Sequence, residues 1–312
     1  MQQSKVKYTF LLPAYKLRFF EKAICSIKNQ NYKDFKCIVS DDCSSENLKD
    51  VFDRTVGNDS RFIYRRNAEN MGSKSLVSHW NLLVNLCNTD YLVMASDDDI
   101  YAPSFLAEID VLVNKYPEID VFRAKAKRIE DEFVLEEDGD IPELLGLEDF
   151  LIYFGKKPMV HCLANYVFKT TALNGVGGFP DFPKAGYSDA AVAMVLAKNG
   201  IVTTKNVLFS FRMSKENLSS TNGYNKYSED GIKGCVMFAD WYRENIESYI
   251  VHSANIHEIS EAHYNHVVGV AQYFMARLSL LKAIKYYLKL RALGYMNLKS
   301  SLTAIKNWIK VK

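Results

Sequence analysis

The densest chemistry in this 312-residue chain is the run Ser96-Asp97-Asp98-Asp99, which follows an apolar stretch at residues 91–95. Three adjacent carboxylates repel one another, so ionising all of them calls for a compensating cation. An all-oxygen donor set favours Mg2+ or Mn2+ over zinc. Such a cation commonly takes one or two protein carboxylates and fills its shell with water and phosphate oxygens. The run therefore suits a cation carrying a nucleotide diphosphate. The other reading is a solvated turn whose acids precede the helix opened by Pro103. Asp41-Asp42 follows another apolar run and can accept from a base N–H or a ribose hydroxyl, or else cap a helix. Tyr15, after Pro13-Ala14, can stack on a base or be an ordinary loop aromatic.

These groups act together only if distant segments meet. Residues 8–12 read as a buried strand stopped by Pro13, and Leu17, Phe20, Ile24 and Ile27 then recur at helical spacing. Residues 35–40 and 62–64 read as strands, with a helix from about Glu46 between them. Asn70-Met71-Gly72-Ser73 opens a helix carrying Leu76, Trp80 and Leu83; residues 91–95 are a fourth strand, and Pro103 starts the next helix. This alternation predicts an α/β fold, a mostly parallel sheet with right-handed crossovers and helices on both faces. Ligands of such sheets bind outside the carboxyl ends of the strands. The Pro13, Asp42 and Asp97 loops are thereby expected to line one cleft. Residues 130–149 read as an acidic loop or insertion, 160–169 as a strand, and 172–179 as a glycine-rich turn. Residues 188–198 read as a helix, 207–212 as a late strand, and the chain from about Gly231 as helical.

Bulk properties narrow the classes. A net charge of +2 argues against nucleic acid as a partner of the whole chain. The six cysteines form no C-x-x-C pair and read as small hydrophobes in a reducing compartment. With no signal-peptide pattern and no apolar run of spanning length, the expectation is a cytoplasmic protein, peripheral at most to a membrane. The charge is uneven, however. No Asp or Glu follows Glu261, while nine Lys and Arg lie between Arg277 and Lys312. Leu280/Leu281, Ile284 and Leu288, then Leu302, Ile305 and Ile309, are apolar at helical spacing among those bases. Such helices either lie on an anionic membrane or pack on the rest of the chain with Lys outward.

The ordered set Phe10-Leu11-Leu12-Pro13-Ala14-Tyr15-Lys16, Ser26-Ile27-Lys28-Asn29-Gln30-Asn31-Tyr32, Phe35-Lys36-Cys37-Ile38-Val39-Ser40-Asp41-Asp42-Cys43-Ser44-Ser45, Asn70-Met71-Gly72 and Tyr91 through Tyr101 resembles the family 2 glycosyltransferases of the GT-A fold. The resemblance covers about residues 5–220. It implies that Pro13, Ala14, Tyr15 and Asp42 line a nucleoside pocket, with Asp42 reading uracil if the donor is a UDP-sugar. It places Gly72 and Lys74 near the base or phosphates, and Asp97, Asp98 and Asp99 at a Mn2+ or Mg2+ ion and the donor. Lys16 and Cys43 depart from the family pattern, which has Asn and Gly there, and both sit beside the nucleoside pocket.

Asn174-Gly175-Val176-Gly177-Gly178-Phe179 followed by Tyr187-Ser188-Asp189 resembles the family's second half, with Asp189 at the position of the catalytic base and Ser188 where Glu is usual. Phe209-Ser210-Phe211-Arg212 to Asn217-Leu218-Ser219 resembles the segment that closes over the diphosphate, with Arg212 facing phosphate. His161 is a candidate on the acceptor side, while His79 and Trp80 read as packing. The implied activity is inverting transfer from a nucleotide-sugar donor to a hydroxyl of a glycan or lipid-linked sugar acceptor. The implied division is a catalytic domain at residues 1–225 and a helical region at 226–312. A sugar nucleotidyltransferase would want a glycine-rich loop where Pro13-Ala14-Tyr15-Lys16 stands, and a non-catalytic binder would not need both the Asp run and Asp189.

Overall fold

The computed structural model describes residues 6–156, 159–217 and 226–311. Four strands, β1 (Tyr8–Ala14), β2 (Phe35–Asp41), β3 (Phe62–Arg66) and β4 (Tyr91–Met94), pair in parallel in the order β3-β2-β1-β4. Helices α1 (Phe20–Lys28), α2 (Leu48–Val56) and α3 (Leu76–Leu86) connect them. The alternation along β1 is why both faces need cover. Tyr8, Phe10 and Leu12 enter one core cluster with Val39 and Val93, while Leu11 enters a second with Leu92 and Met94. Each such buried side chain contributes roughly 1.5–3 kcal/mol. Asn47 and Ser75 cap α2 and α3 by accepting the N–H of Asp50 and Ser78.

Beyond β4 the sheet is mixed rather than mostly parallel. After β5 (Ile100–Tyr101) and α4 (Phe105–Lys115), the long strand β6 (Val121–Glu130) joins through β9 (Tyr166–Lys169), which runs antiparallel to both β4 and β6. The last strand, β10 (Ile201–Arg212), is parallel to β6, and β5 is antiparallel to it. A strand was expected only from residue 207; it begins at Ile201.

Residues 130–149 are not a loop. They form β7 (Phe133–Glu137) on β6, β8 (Leu144–Leu145) on β10 and the start of α5 (Leu147–Lys156). Of the acids, Glu130 ends β6, Glu136 and Glu137 lie in the exposed β7, Glu148 and Asp149 lie in α5, and the rest stand in the turns between, where only Asp138 is buried. Its buried carboxylate accepts from the Arg123 guanidinium and from the N–H groups of Ala126 (2.7 Å) and Val160 (2.6 Å). The expected strand at 160–169 occupies only 166–169. The glycine-rich segment begins as α6 (Thr170–Gly175) and turns at Gly177 and Gly178, both at positive φ.

Helix α7 (Ser188–Leu196) is almost wholly buried, as its Ala-rich sequence requires. From Ser228 onward the chain is helical: α8 (Ser228–Asn245), α9 (Glu247–Ile250), α10 (Ile256–Met275), α11 (Leu280–Ala292) and α12 (Leu298–Val311). These helices build a third core cluster around Ile232, Cys235, Val267 and Ala271. They also grip the rest of the molecule. A methyl on Gly155 of α5 would sit 2.7 Å from the Ala262 backbone in α10, so the two helices touch without a side chain between them. All six cysteines are free, and among the described residues no helix is long and apolar enough to cross a membrane.

Candidate active site

A cavity of about 700 Å3 opens at the carboxyl ends of β1, β2 and β4, within the range of small-molecule sites. It brings together Pro13, Ala14, Tyr15, Lys16, Asp42, Gly72, Asp97, Asp98, Asp99, His161 and Asp189. The convergence expected of three strand-end loops is therefore present, and Asp189 enters from the opposite side of the sequence.

The three carboxylates of the Asp run face different demands. Asp97 Oδ2 accepts the main-chain N–H groups of Tyr15 and Lys16, each at 2.7 Å. Asp99 accepts the Arg212 N–H at 2.8 Å and the Ser96 hydroxyl. Burial, and then the neighbouring Asp98 charge, push the Asp99 carboxyl up to about 8. Burial likewise raises Asp97. Asp98 makes its side-chain contact with the Lys16 ammonium, which also lies 3.4 Å from Asp97 Oδ1. Asp97 and Asp99 thus brace loops with one or both oxygens, while Asp98 is held by a single displaceable cation. Among the described residues no three His, Cys, Asp or Glu side chains converge into a metal cage. That donor set fits a Mg2+ or Mn2+ ion bound by one or two carboxylates and completed by phosphate and water, not a structural all-protein site.

Of the pair after β2, Asp41 turns away from the cleft, accepting from Ser44 N (2.8 Å), Tyr64 Oη (2.5 Å) and Arg66. Asp42 turns in. Its Oδ1 accepts from Asn67 Nδ2 (2.8 Å) and Met71 N (2.9 Å), and its Oδ2 from Gly72 N (2.7 Å). Oδ2 keeps a lone pair for a ligand N–H. A Cβ at Gly72 would meet that oxygen at 2.9 Å, so glycine is what lets the turn approach the carboxylate. Cys43 next to it has φ of 57°, the left-handed region that favours glycine. Tyr15 is 45% exposed over the cavity, its carbonyl held by the Ser44 hydroxyl at 2.6 Å.

Asp189 lies in the first turn of α7, half-buried, and its Oδ1 accepts the Ala190 N–H at 2.9 Å. Burial raises its carboxyl above the ordinary carboxylate range. The loop that delivers it carries Lys184, Ala185 and Tyr187 at φ of 54°, 56° and 73°. Tyr187 is fixed by a ring stack on Phe238 of α8, with centroids 4.4 Å apart. His161 donates or accepts at Nδ1 with Tyr166 Oη (3.2 Å), and its Nε2 has no hydrogen-bond partner among the described residues. Burial, with the Arg123 charge, holds its ring neutral.

Two expected residues stand outside the cavity lining. Lys74 pairs with Glu69 on the surface at 2.7 Å. Arg212 is buried. Its Nε donates to Asp98 O (3.0 Å), its Nη1 to Asp131 O (3.3 Å), and its guanidinium lies 4.5 Å from the Phe19 ring centroid. It clamps the Asp run from behind. Leu218 and Ser219 lie outside the described residues. Lys16, expected beside the nucleoside pocket from its departure from the family pattern, is in the lining; Lys184 and Tyr227 line it too, with no sequence signal to mark them. His79 does pack, with its Nε2 2.9 Å from Ser40 Oγ, but it and Trp80 also border the cavity.

Comparison with known proteins agrees with this geometry. Residues 10–145 match the family model described as Glycosyl transferase family 2. This segment is a family 2 glycosyltransferase domain. The solved structures it resembles extend the likeness to the whole chain. A structure of S. aureus TarS residues 1–349 superposes with a TM-score of 0.64 at 15% identity, covering 98% of this chain and 90% of that one. The same TarS fragment in complex with UDP-GlcNAc gives 0.58 at 14% identity with the same coverage. The mannosyltransferase PcManGT of Pyrobaculum calidifontis, in complex with GDP-Man and Mn2+, gives 0.53 at 15% identity, covering 98% of this chain and 85% of that one. At these identities the likeness establishes the fold, GT-A, including the helices that follow the sheet.

Proposed function

We propose that this glycosyltransferase moves a sugar from a nucleotide-diphosphate donor, a UDP-sugar in the first instance, to a hydroxyl of a glycan or lipid-linked sugar acceptor, with inversion. The observation that supports it most is that Tyr15, Asp42, Asp98 and Asp189 border one cavity although they come from four distant segments. Tyr15 offers its ring face to the base, and the spare lone pair of Asp42 Oδ2 accepts the base N–H. Asp98, with Asp97 Oδ1 beside it, is the pair suited to hold Mn2+ or Mg2+. When bound, such an ion supplies positive charge to the departing diphosphate. Lys16, released from Asp98, and Lys184 add ammonium groups to the same region.

Asp189 takes the proton of the acceptor hydroxyl as that oxygen attacks the anomeric carbon opposite the nucleotide. Its burial serves this role, because a more basic carboxylate is a stronger general base. The sign of the pH dependence follows. The active form is the carboxylate, so the rate falls as pH drops through a pKa held above 3.8. Replacing Asp189→Asn is expected to lower kcat on the order of 10²-fold or more with donor binding nearly kept. Thermal shift against UDP-, GDP- and dTDP-sugars reads donor binding in the same variant. Transfer at the wild-type rate by Asp189→Asn, or a product that retains the donor's anomeric configuration by NMR, would remove the assignment.

A further inference from the structure

We propose that α11 and α12 form a helical hairpin that rests on an anionic lipid surface. The inference is independent of sugar transfer and begins with where apolar side chains are left.

On α11, Tyr286 and Leu290 are buried against the third core cluster. The opposite side should be polar in a helix that merely packs on a domain. Instead it presents Leu281, Ile284 and Leu288, which are 45–81% exposed. On α12, Ser300 is buried and the far side presents Leu298, Leu302, Ile305 and Ile309 at 58–78% exposure, spaced i, i+4, i+7, i+11. The helices do pack on the rest of the chain with Lys outward, but through Tyr286, Leu290 and Ser300, which leaves the apolar stripes outside.

The two stripes face the same way. Leu278 O accepts from Trp308 Nε1 at 3.0 Å, and Tyr287 Oη meets Ser301 Oγ at 2.9 Å, so the helices run antiparallel about the turn at Gly294, φ 88°. At about 100° per residue, α11 presents in rotational order its buried side, then Tyr287, then its apolar stripe. Helix α12 presents its buried side, then Ser301, then its stripe, in the same rotational order. Two antiparallel helices meeting at Tyr287 and Ser301 therefore bury one common side and expose both stripes on the other.

Charge selects the occupant. Exposed Lys282, Lys285 and Lys289 flank the α11 stripe, and exposed Lys299, Lys306 and Lys310 flank that of α12. Glu229 pairs with Lys282 and also feels the Lys285 charge, and no Asp or Glu follows Glu261 in the sequence. A second copy docking on this face would bring lysines against lysines. Anionic headgroups neutralise them while acyl chains take the leucines and isoleucines. Neither helix qualifies as a span, so the hairpin lies in the plane of the interface.

Flotation of the full chain on phosphatidylcholine vesicles with and without phosphatidylglycerol tests this. The wild type is expected to float with the anionic vesicles and to be released by salt. A quadruple variant Leu281→Gln, Ile284→Gln, Leu302→Gln, Ile305→Gln, and a second, Lys285→Gln, Lys289→Gln, Lys306→Gln, Lys310→Gln, should each lose binding on the order of a hundredfold or more. Both sets are exposed, so unchanged melting temperatures would show that the variants are folded. Wild-type protein that stays in the soluble fraction with anionic vesicles overturns the proposal, as does equal flotation of all three proteins. A wild-type dimer that the apolar variant turns into a monomer, without vesicle binding, assigns the face to a second copy instead.

Discussion

The three acids at the end of β4 are engaged unequally: Asp97 and Asp99 accept main-chain N–H groups, while the carboxylate of Asp98 meets the Lys16 ammonium that also approaches Asp97. Lys16 occupies Asp98, and burial works against its charge, yet Asp97 and Asp98 outweigh burial and raise its pKa. Any divalent cation at Asp98 has to displace this ammonium. Lys16→Met should therefore raise the affinity for Mn2+ alone by about tenfold, an interaction worth about 1.4 kcal/mol, and lower the melting temperature only in the absence of Mn2+. Isothermal titration checks the first point, and unchanged affinity would mean that the ammonium does not compete. Cys43 offers a second test. Its left-handed backbone costs a non-glycine residue roughly 1–2 kcal/mol, so Cys43→Gly should raise stability by about 1 kcal/mol in urea titration. A drop would mean that its thiol contact near Ala68 O outweighs the strain. The sequence made the acids visible as a group because they are consecutive. It could not assign them, because their partners Tyr15, Lys16 and Arg212 are more than 80 residues away.

Elements were legible where periodicity was clean. Strands β1 to β4 each carry an apolar run, and at β2 and β4 the acids follow that run rather than interrupt it. Residues 130–149 failed for the opposite reason. The edge strand β7 holds only a three-residue apolar run, Phe133-Val134-Leu135, exposed and set among acids, so neither length nor alternation announced it, and Asp138 is a carboxylate placed in the core. Its partner Arg123 is fully buried, so removing the acid leaves an uncompensated guanidinium. Asp138→Ala is expected to cost about 3–5 kcal/mol by chemical denaturation. It should also disturb the site, since Asp138 holds the Val160 N–H immediately before His161. A loss below about 1 kcal/mol would mean that water enters to solvate Arg123. The loop before α7 was equally opaque: left-handed Lys184, Ala185 and Tyr187 are held by tertiary contacts, and no local sequence pattern demands that backbone.

Over the whole molecule, the parallel half of the sheet and the helical C-terminal region were both readable, while the antiparallel insertion of β9 was not. Strand order beyond β4 depends on long-range pairing that a short apolar run does not encode. The helical region responds to acid through His263, which stacks on Tyr242 with centroids 3.6 Å apart and bonds Tyr295 Oη at 2.8 Å. Burial, with His266 nearby, lowers its pKa to about 3. The unfolded chain binds that proton near pH 6.5 and the folded chain does not, so the stabilisation is complete above pH 6.5 and is lost as pH falls towards 3. The slope approaches about 1.4 kcal/mol per pH unit from this residue. His263→Gln should flatten the fall between pH 6.5 and 4.5 in urea titrations, and parallel curves would exclude His263 as the source.

The stack of Tyr187 on Phe238 has a consequence of another kind. The turn that presents Asp189 owes its shape to a ring supplied by α8, so the two cannot be exchanged separately. A chimaera that borrows its C-terminal helices from a relative would import a new seat for Tyr187, and with it a new position for the carboxylate two residues later. What the helices rest on and where the Asp189 carboxylate stands are inherited as one unit.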